Sequence, residues 1–125
     1  MLTRIIAAVA LALAFPATAI ALADFKTPGG AAYCGITHGE PPYHLICWTP
    51  NDGFTVSMGP RGRAYKRYIR DNRGYHDYVG RTLSFGQRWA SAPGFRCVSR
   101  RTGLTCTNRV GHGWWLGRYR GYQLF

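Results

Sequence analysis

The chain has 125 residues, 16 lysines and arginines against 5 aspartates and glutamates, and a formal net charge of +11. That length fits one domain and excludes a multidomain enzyme. Five carboxylates make a glycosidase built on a carboxylate pair a poor fit, and beyond the N-terminus no apolar run is long enough to span a bilayer.

The N-terminus has the anatomy of a secretory signal peptide. Met1 to Arg4 is a short positive region, Ile5 to Phe15 an apolar core, and Pro16 a helix break. Small-residue sites follow, which predict cleavage after Ala19 or Ala23. Residues 1–23 then leave with the signal, and 24–125 form a single exported β domain, expected to be a soluble monomer. Without Arg4 the charge is +10, from fifteen basic and five acidic residues. A domain this small buries a modest share of its surface and gains from covalent staples. Its four cysteines, in an oxidising compartment, imply two bridges. Of the three connectivities, spacing favours Cys34–Cys47 and Cys97–Cys106, the second across a hairpin. Cys-x2-Cys spacing is absent, so no zinc or other metal site is expected.

In chain order the predicted strands are Tyr43–Trp48, Phe54–Met58, Tyr75–Val79, Arg81–Phe85, Phe95–Ser99, Leu104–Thr107, Trp114–Leu116 and Tyr119–Leu124. Each is a short run rich in β-branched and aromatic residues between glycines and prolines. Asn51-Asp52-Gly53 signals a turn. Phe54-Thr55-Val56-Ser57-Met58 alternates, which predicts one buried and one wet face. Ala64 to Arg70 fits a helix or a strand, with strand the preferred reading. The fold class is all-β: a small disulfide-stapled sandwich or barrel of short antiparallel strands. Phe95, Leu104, Leu116, Leu124 and Phe125 are the expected core of the C-terminal half. Of the adjacent Trp114 and Trp115, strand alternation buries one and turns the other outward, although both could lie between sheets.

Positive charge concentrates twice. Arg61, Arg63, Lys66, Arg67, Arg70 and Arg73 interleave with Tyr65, Tyr68 and Tyr75. Arg96, Arg100, Arg101, Arg109, Arg118 and Arg120 accompany Trp114, Trp115, Tyr119 and Tyr122. Arginine offers a rigid fork of donors for phosphate or carboxylate and stacks on aromatic rings. Such interleaving suits a polyanion, whether an envelope polymer or single-stranded nucleic acid, the former being favoured. The bland alternative is a solvated basic surface. The candidate ligand-binding set is Arg61, Arg63, Lys66, Arg67, Arg70, Trp115, Arg118 and Arg120.

The histidines are His38, His44, His76 and His112. A catalytic reading would use His76 and His112 to shuttle a proton, with Asp77 or Glu40 and nearby arginines, in a phosphodiester-cleaving enzyme. Nothing in their spacing requires them to converge. Gly-x-Ser-x-Gly, P-loop, Gly-x-Gly-x-x-Gly and His-Glu-x-x-His motifs are absent, so neither a catalytic set nor a cofactor is assigned. In Gly111-His112-Gly113, the flanking glycines allow a sharp turn that His112 could lock by a hydrogen bond.

The C-terminal block carries a more specific pattern. Gly94, Phe95, Cys97 and Ser99 are followed by Gly103, Leu104, Thr105, Cys106 and Asn108. Then come Gly111, His112, Gly113, Trp114, Trp115, Leu116 and Arg118, and finally Tyr122, Leu124 and Phe125. This block resembles the ending of a family of small exported bacterial proteins grouped as a domain of unknown function. Phe25 to Pro28, Tyr33-Cys34, and Leu83 to Gly86 with Trp89 extend the resemblance more weakly. Members often carry a further cysteine pair in the middle, which this chain lacks. The resemblance implies export and supplies no catalytic residue. The sequence therefore predicts an exported cationic binding protein of the bacterial envelope, contacting an anionic polymer or surface through an arginine- and aromatic-rich face. The alternatives are a secreted phosphodiester-cleaving enzyme and an inhibitor or accessory protein docking on another exported protein.

Overall fold

The computed structural model describes residues 25–37, 42–68 and 81–125. They form eleven short strands: β1 (Phe25–Lys26), β2 (Tyr33–Ile36), β3 (Leu45–Thr49), β4 (Phe54–Met58), β5 (Tyr65–Tyr68), β6 (Arg81–Thr82), β7 (Arg88–Ser91), β8 (Phe95–Arg100), β9 (Gly103–Thr107), β10 (Gly113–Gly117) and β11 (Tyr122–Leu124). A single 3-10 turn, Pro28–Gly30, follows β1. The first sheet has the order β5-β4-β3-β2-β1-β6 and the second β11-β10-β9-β8-β7. Neighbours are antiparallel except β1 and β6, which run parallel. The second sheet is a meander joined by short turns throughout. This is the all-β sandwich of the sequence, not a closed barrel.

Alternation decides which side chains meet between the sheets. Phe25, Leu45, Val56 and Met58 from the first sheet join Trp89, Phe95, Leu104, Trp114 and Leu116 from the second in one apolar cluster. The Phe25 and Trp89 rings, one from each sheet, lie 5.1 Å apart. Each sheet carries one disulfide inside this core. Cys34 lies directly across from Cys47 on β2 and β3, and Cys97 across from Cys106 on β8 and β9. Both pairs have Cα atoms 4.1 Å apart, the close approach of opposed residues in an antiparallel ladder. All four cysteines are bonded as the spacing suggested, in keeping with oxidising surroundings. Among the described residues no helix is long and apolar enough to cross a membrane.

Several expectations are corrected. Phe54–Met58 is a strand, but all five residues are buried. β4 is an interior strand, and its small Thr55 sits between Trp48 and Arg67, and Ser57 between Ile46 and Tyr65. Large neighbours on both sides shade the face that alternation left for water. Within Ala64–Arg70 the preferred strand reading holds for β5 over Tyr65–Tyr68, and residues 69 and 70 lie outside the described ones. Arg81–Phe85 shortens to β6, and Tyr119–Leu124 to β11, because 118–121 is needed for the turn out of β10. Phe125 is 46 % exposed and leaves the expected core. Leu124 beside it packs inward against the core, so alternation sends Phe125 out, with reciprocal backbone bonds to Gly113 holding its main chain. The strand expected over Tyr75–Val79 and the signal segment lie outside the described residues.

Candidate anion-binding site

One end of the sandwich holds an open groove of about 610 Å³. Arg61 and Arg63 line it from the β4–β5 loop, and Arg109 from the β9–β10 turn. His44 and Tyr65 complete the polar lining, and Pro42, Pro60 and Pro93 form apolar walls. All three arginines are exposed. None of the described residues lining the groove is acidic, and the only acidic side chain among the described residues is Asp52, in the β3–β4 turn.

Asn108 holds the two contributing loops together. This residue is 5 % exposed, and its amide group donates to the carbonyls of Gly59 at 3.1 Å and Gly62 at 2.8 Å. Its carboxamide oxygen accepts from the backbone N–H groups of Val110 at 3.2 Å and His112 at 3.1 Å. The β4–β5 loop of one sheet is thereby fastened to the β9–β10 turn of the other, which brings Arg61 and Arg63 beside Arg109. The turn is locked by this amide and not by the His112 imidazole, as the sequence suggested; His112 takes part through its backbone.

Two glycines shape the walls. A Cβ at Gly94, whose φ is +121°, would stand 2.9 Å from Cβ of Arg109, so only glycine lets that arginine back onto the β7–β8 turn. A Cβ at Gly59 would lie 3.4 Å from Nε2 of His44. His44 Nδ1 is 3.1 Å from the Pro42 carbonyl. In the tautomer that this contact selects, Nδ1–H donates and Nε2 is left as an acceptor.

The remaining residues of the predicted set fall elsewhere. On β5, alternation separates two that are adjacent in sequence. Arg67 lies on the outer face, with its guanidinium 5.2 Å from the Tyr65 ring centre. Lys66 turns the other way and donates to the hydroxyls of Tyr68 and Tyr122, both at 2.9 Å. Those hydroxyls are nearer than either ring centre, at 4.4 and 4.3 Å, so the ammonium contacts the phenol ends first. Tyr122 also packs on Phe54, with ring centres 5.1 Å apart. Lys66 thus ties the edge strands β5 and β11 of opposite sheets. The hydrogen bond to Tyr122, then that to Tyr68, raises its pKa above the ordinary 10.5, and it stays charged throughout the neutral range.

Arg118 and Arg120 belong to the far end of the sandwich. β10 starts at Gly113, beside the Asn108 turn, and ends at Gly117, so the turn after it points away from the groove. There Arg118 stacks 4.7 Å from the Phe85 ring centre and 5.1 Å from that of Tyr119. Trp114 is fully buried while Trp115 is half-buried on the outer face of the second sheet, as alternation required. Arg70 and His76 lie outside the described residues.

The site therefore unites Arg61 and Arg63 with Arg109 and His44, which the sequence reading left out of the set. The available signal was the Gly-Pro-Arg-Gly-Arg run at 59–63 facing the Asn-Arg of a second turn, but nothing in the sequence says that two loops 46 residues apart are bonded. Chemically, three guanidiniums with apolar walls can hold an anion by charge-assisted forks. No family model matches the chain, and neither the curated proteins nor the solved structures contain a match to it.

Proposed function

We propose that this is an exported protein of the bacterial envelope that binds an anionic polymer in the groove of Arg61, Arg63 and Arg109. The observation that carries the reading is the convergence of three exposed arginines on one groove, with no acidic side chain among the described residues that line it. The signal-like N-terminus and the resemblance of the C-terminal block to small exported proteins support the location, and the two disulfides are consistent with it. The groove is open, so a chain can enter and leave along it, which favours a polymer over an enclosed small molecule.

The test is a titration of the mature, oxidised protein with acidic polymers at two salt concentrations. Affinity should fall steeply between about 50 and about 200 mM salt, as counterions compete for the guanidiniums. The triple variant Arg61→Glu, Arg63→Glu, Arg109→Glu should weaken binding by roughly a hundredfold or more, since each charged contact is worth a kcal/mol or so at least. Arg120→Glu, at the far end, is the charge control and should cost much less. Polymer length should be unchanged after incubation. Full affinity in the triple variant would remove the groove from the reading, and shortened polymer would replace binding with cleavage.

A further inference from the structure

A second set of cations lies on the outer face of the second sheet, next to the groove. On β8 the core takes Phe95, Cys97 and Ser99, so alternation turns Arg96, Val98 and Arg100 outward. Arg88 on β7 is directly across from Val98 and therefore shares that face. It is the diagonal neighbour of both Arg96 and Arg100, about 7–8 Å from each along the backbone. All three arginines are exposed. Register gives Arg96 the neutral partners Ala90 and Thr107, and sets Arg100 across from Gly103. The Trp115 indole borders Arg100 on that side, with its Nε1 2.7 Å from where a Cβ at Gly103 would stand. The row begins at the groove. Arg109 rests against Gly94, and Gly94 stands two residues before Arg96. From Gly94 to Arg100 the chain covers about 20 Å.

Like charges this close lie within about one Debye length of each other at physiological salt, roughly 8 Å, so they repel with little screening. None of the described residues on this face is acidic, and an anion lying over the row relieves the repulsion. The first sheet is arranged differently. Its row Lys26, Tyr33, Trp48, Thr55 and Arg67 puts its two cations on β1 and β5, with three strands between them. Positive charge is therefore gathered on one sheet and not spread as an even coat. A small anion held among Arg61, Arg63 and Arg109 cannot reach Arg100, about 20 Å along the strand. A linear polyanion leaving the open groove past Arg109 meets Arg96, Arg88 and Arg100 in turn, and each guanidinium offers it a charge-assisted fork.

We infer that the anionic polymer, on the reading of the groove given above, continues from Arg109 over Arg96, Arg88 and Arg100, so that the protein holds an extended stretch of chain and not a chain end alone. Two inorganic probes test this on the full mature protein: tripolyphosphate, short enough to stay within the groove, and long-chain polyphosphate, which also covers the row. Wild-type affinity should fall more steeply with salt for the long chain than for tripolyphosphate. The triple variant Arg88→Gln, Arg96→Gln, Arg100→Gln should weaken long-chain binding roughly tenfold or more. It should also flatten the log–log salt slope by about 2, for three lost contacts. Tripolyphosphate binding should stay within about twofold, which also shows that the variant is folded. Arg88→Lys, Arg96→Lys, Arg100→Lys keeps the charge and should stay within about threefold of wild type on both probes. Unchanged long-chain affinity or slope in the glutamine variant, or equal losses on the two probes, would each overturn the row. Failure of the wild type to bind either probe would overturn the groove reading itself. So would tripolyphosphate binding untouched by the three groove glutamates, and both results differ from failure of the row alone.

Discussion

Asn108 shows how much of the site rests on one neutral side chain. Its carboxamide uses both its donors and its acceptor on backbone groups of two loops, and it is buried. Asn108→Asp keeps the shape but replaces two donors with an oxygen facing the Gly59 and Gly62 carbonyls. The expected cost is about 2–4 kcal/mol, from two lost hydrogen bonds and a partly desolvated charge. Urea unfolding would read it as a lower midpoint at an unchanged slope. Polymer affinity should fall as well, because Arg61 and Arg63 are no longer held beside Arg109. An unchanged midpoint would mean that the loops are held by something other than this amide. Lys66 is the converse case: a residue whose charge suggested ligand binding is hydrogen-bonded to Tyr68 and Tyr122 at the exposed edge of the sandwich.

The strands divide into those the sequence declared and those it hid. Phe54–Met58, Phe95–Arg100 and Gly103–Thr107 are runs of β-branched, aromatic and cysteine residues bounded by turns, and they were legible. β7 is Arg-Trp-Ala-Ser, with one strong strand former, and β2 contains Gly35; each is a strand because a neighbour supplies the ladder. β1 and β6 are two residues long and pair in parallel, which no local pattern announces. The disulfide pairing was legible because cysteines 13 and 9 residues apart suit hairpin partners. The groove was only half legible: its arginines are visible in the sequence, but their convergence depends on Asn108 and on Gly94, whose partners are distant in the chain. The two bridges staple hairpins in different sheets, so their contributions should add. Chain entropy gives about 3 kcal/mol for each. Cys97→Ala/Cys106→Ala and Cys34→Ala/Cys47→Ala should each lower unfolding free energy by that amount in urea. Removing both should consume about 6 kcal/mol, much of the stability usual for a domain of this size. A single bridge accounting for nearly all the loss would show that the two hairpins do not unfold independently.

Over the whole molecule, charge is arranged rather than balanced. From Leu83 to Phe125, which contains the entire second sheet, there are seven arginines and no acidic residue. They are distributed between the groove end, the far end and the outer face, and each end also presents aromatic or proline surface. Such a surface costs the fold some self-repulsion, keeps molecules of like charge apart and attracts anions.

The scarcity of acidic side chains, five in the whole chain, has a second side. Acid unfolds most proteins by protonating carboxylates that the native state holds in ion pairs. Here Asp52 is the only acidic side chain among the described residues, and it is exposed. Thermal unfolding at pH 3.5 in moderate salt, which screens the added repulsion, should therefore occur within a few degrees of the value at pH 7. A drop of tens of degrees would point to a carboxylate embedded in the fold. Thiols act on the other ingredient, the two cross-strand bridges, but all four sulfurs are buried, so millimolar dithiothreitol should reduce them only as fast as the sheets open. Burial of the sulfurs thus makes the rate of reduction a clock for the opening of the sandwich.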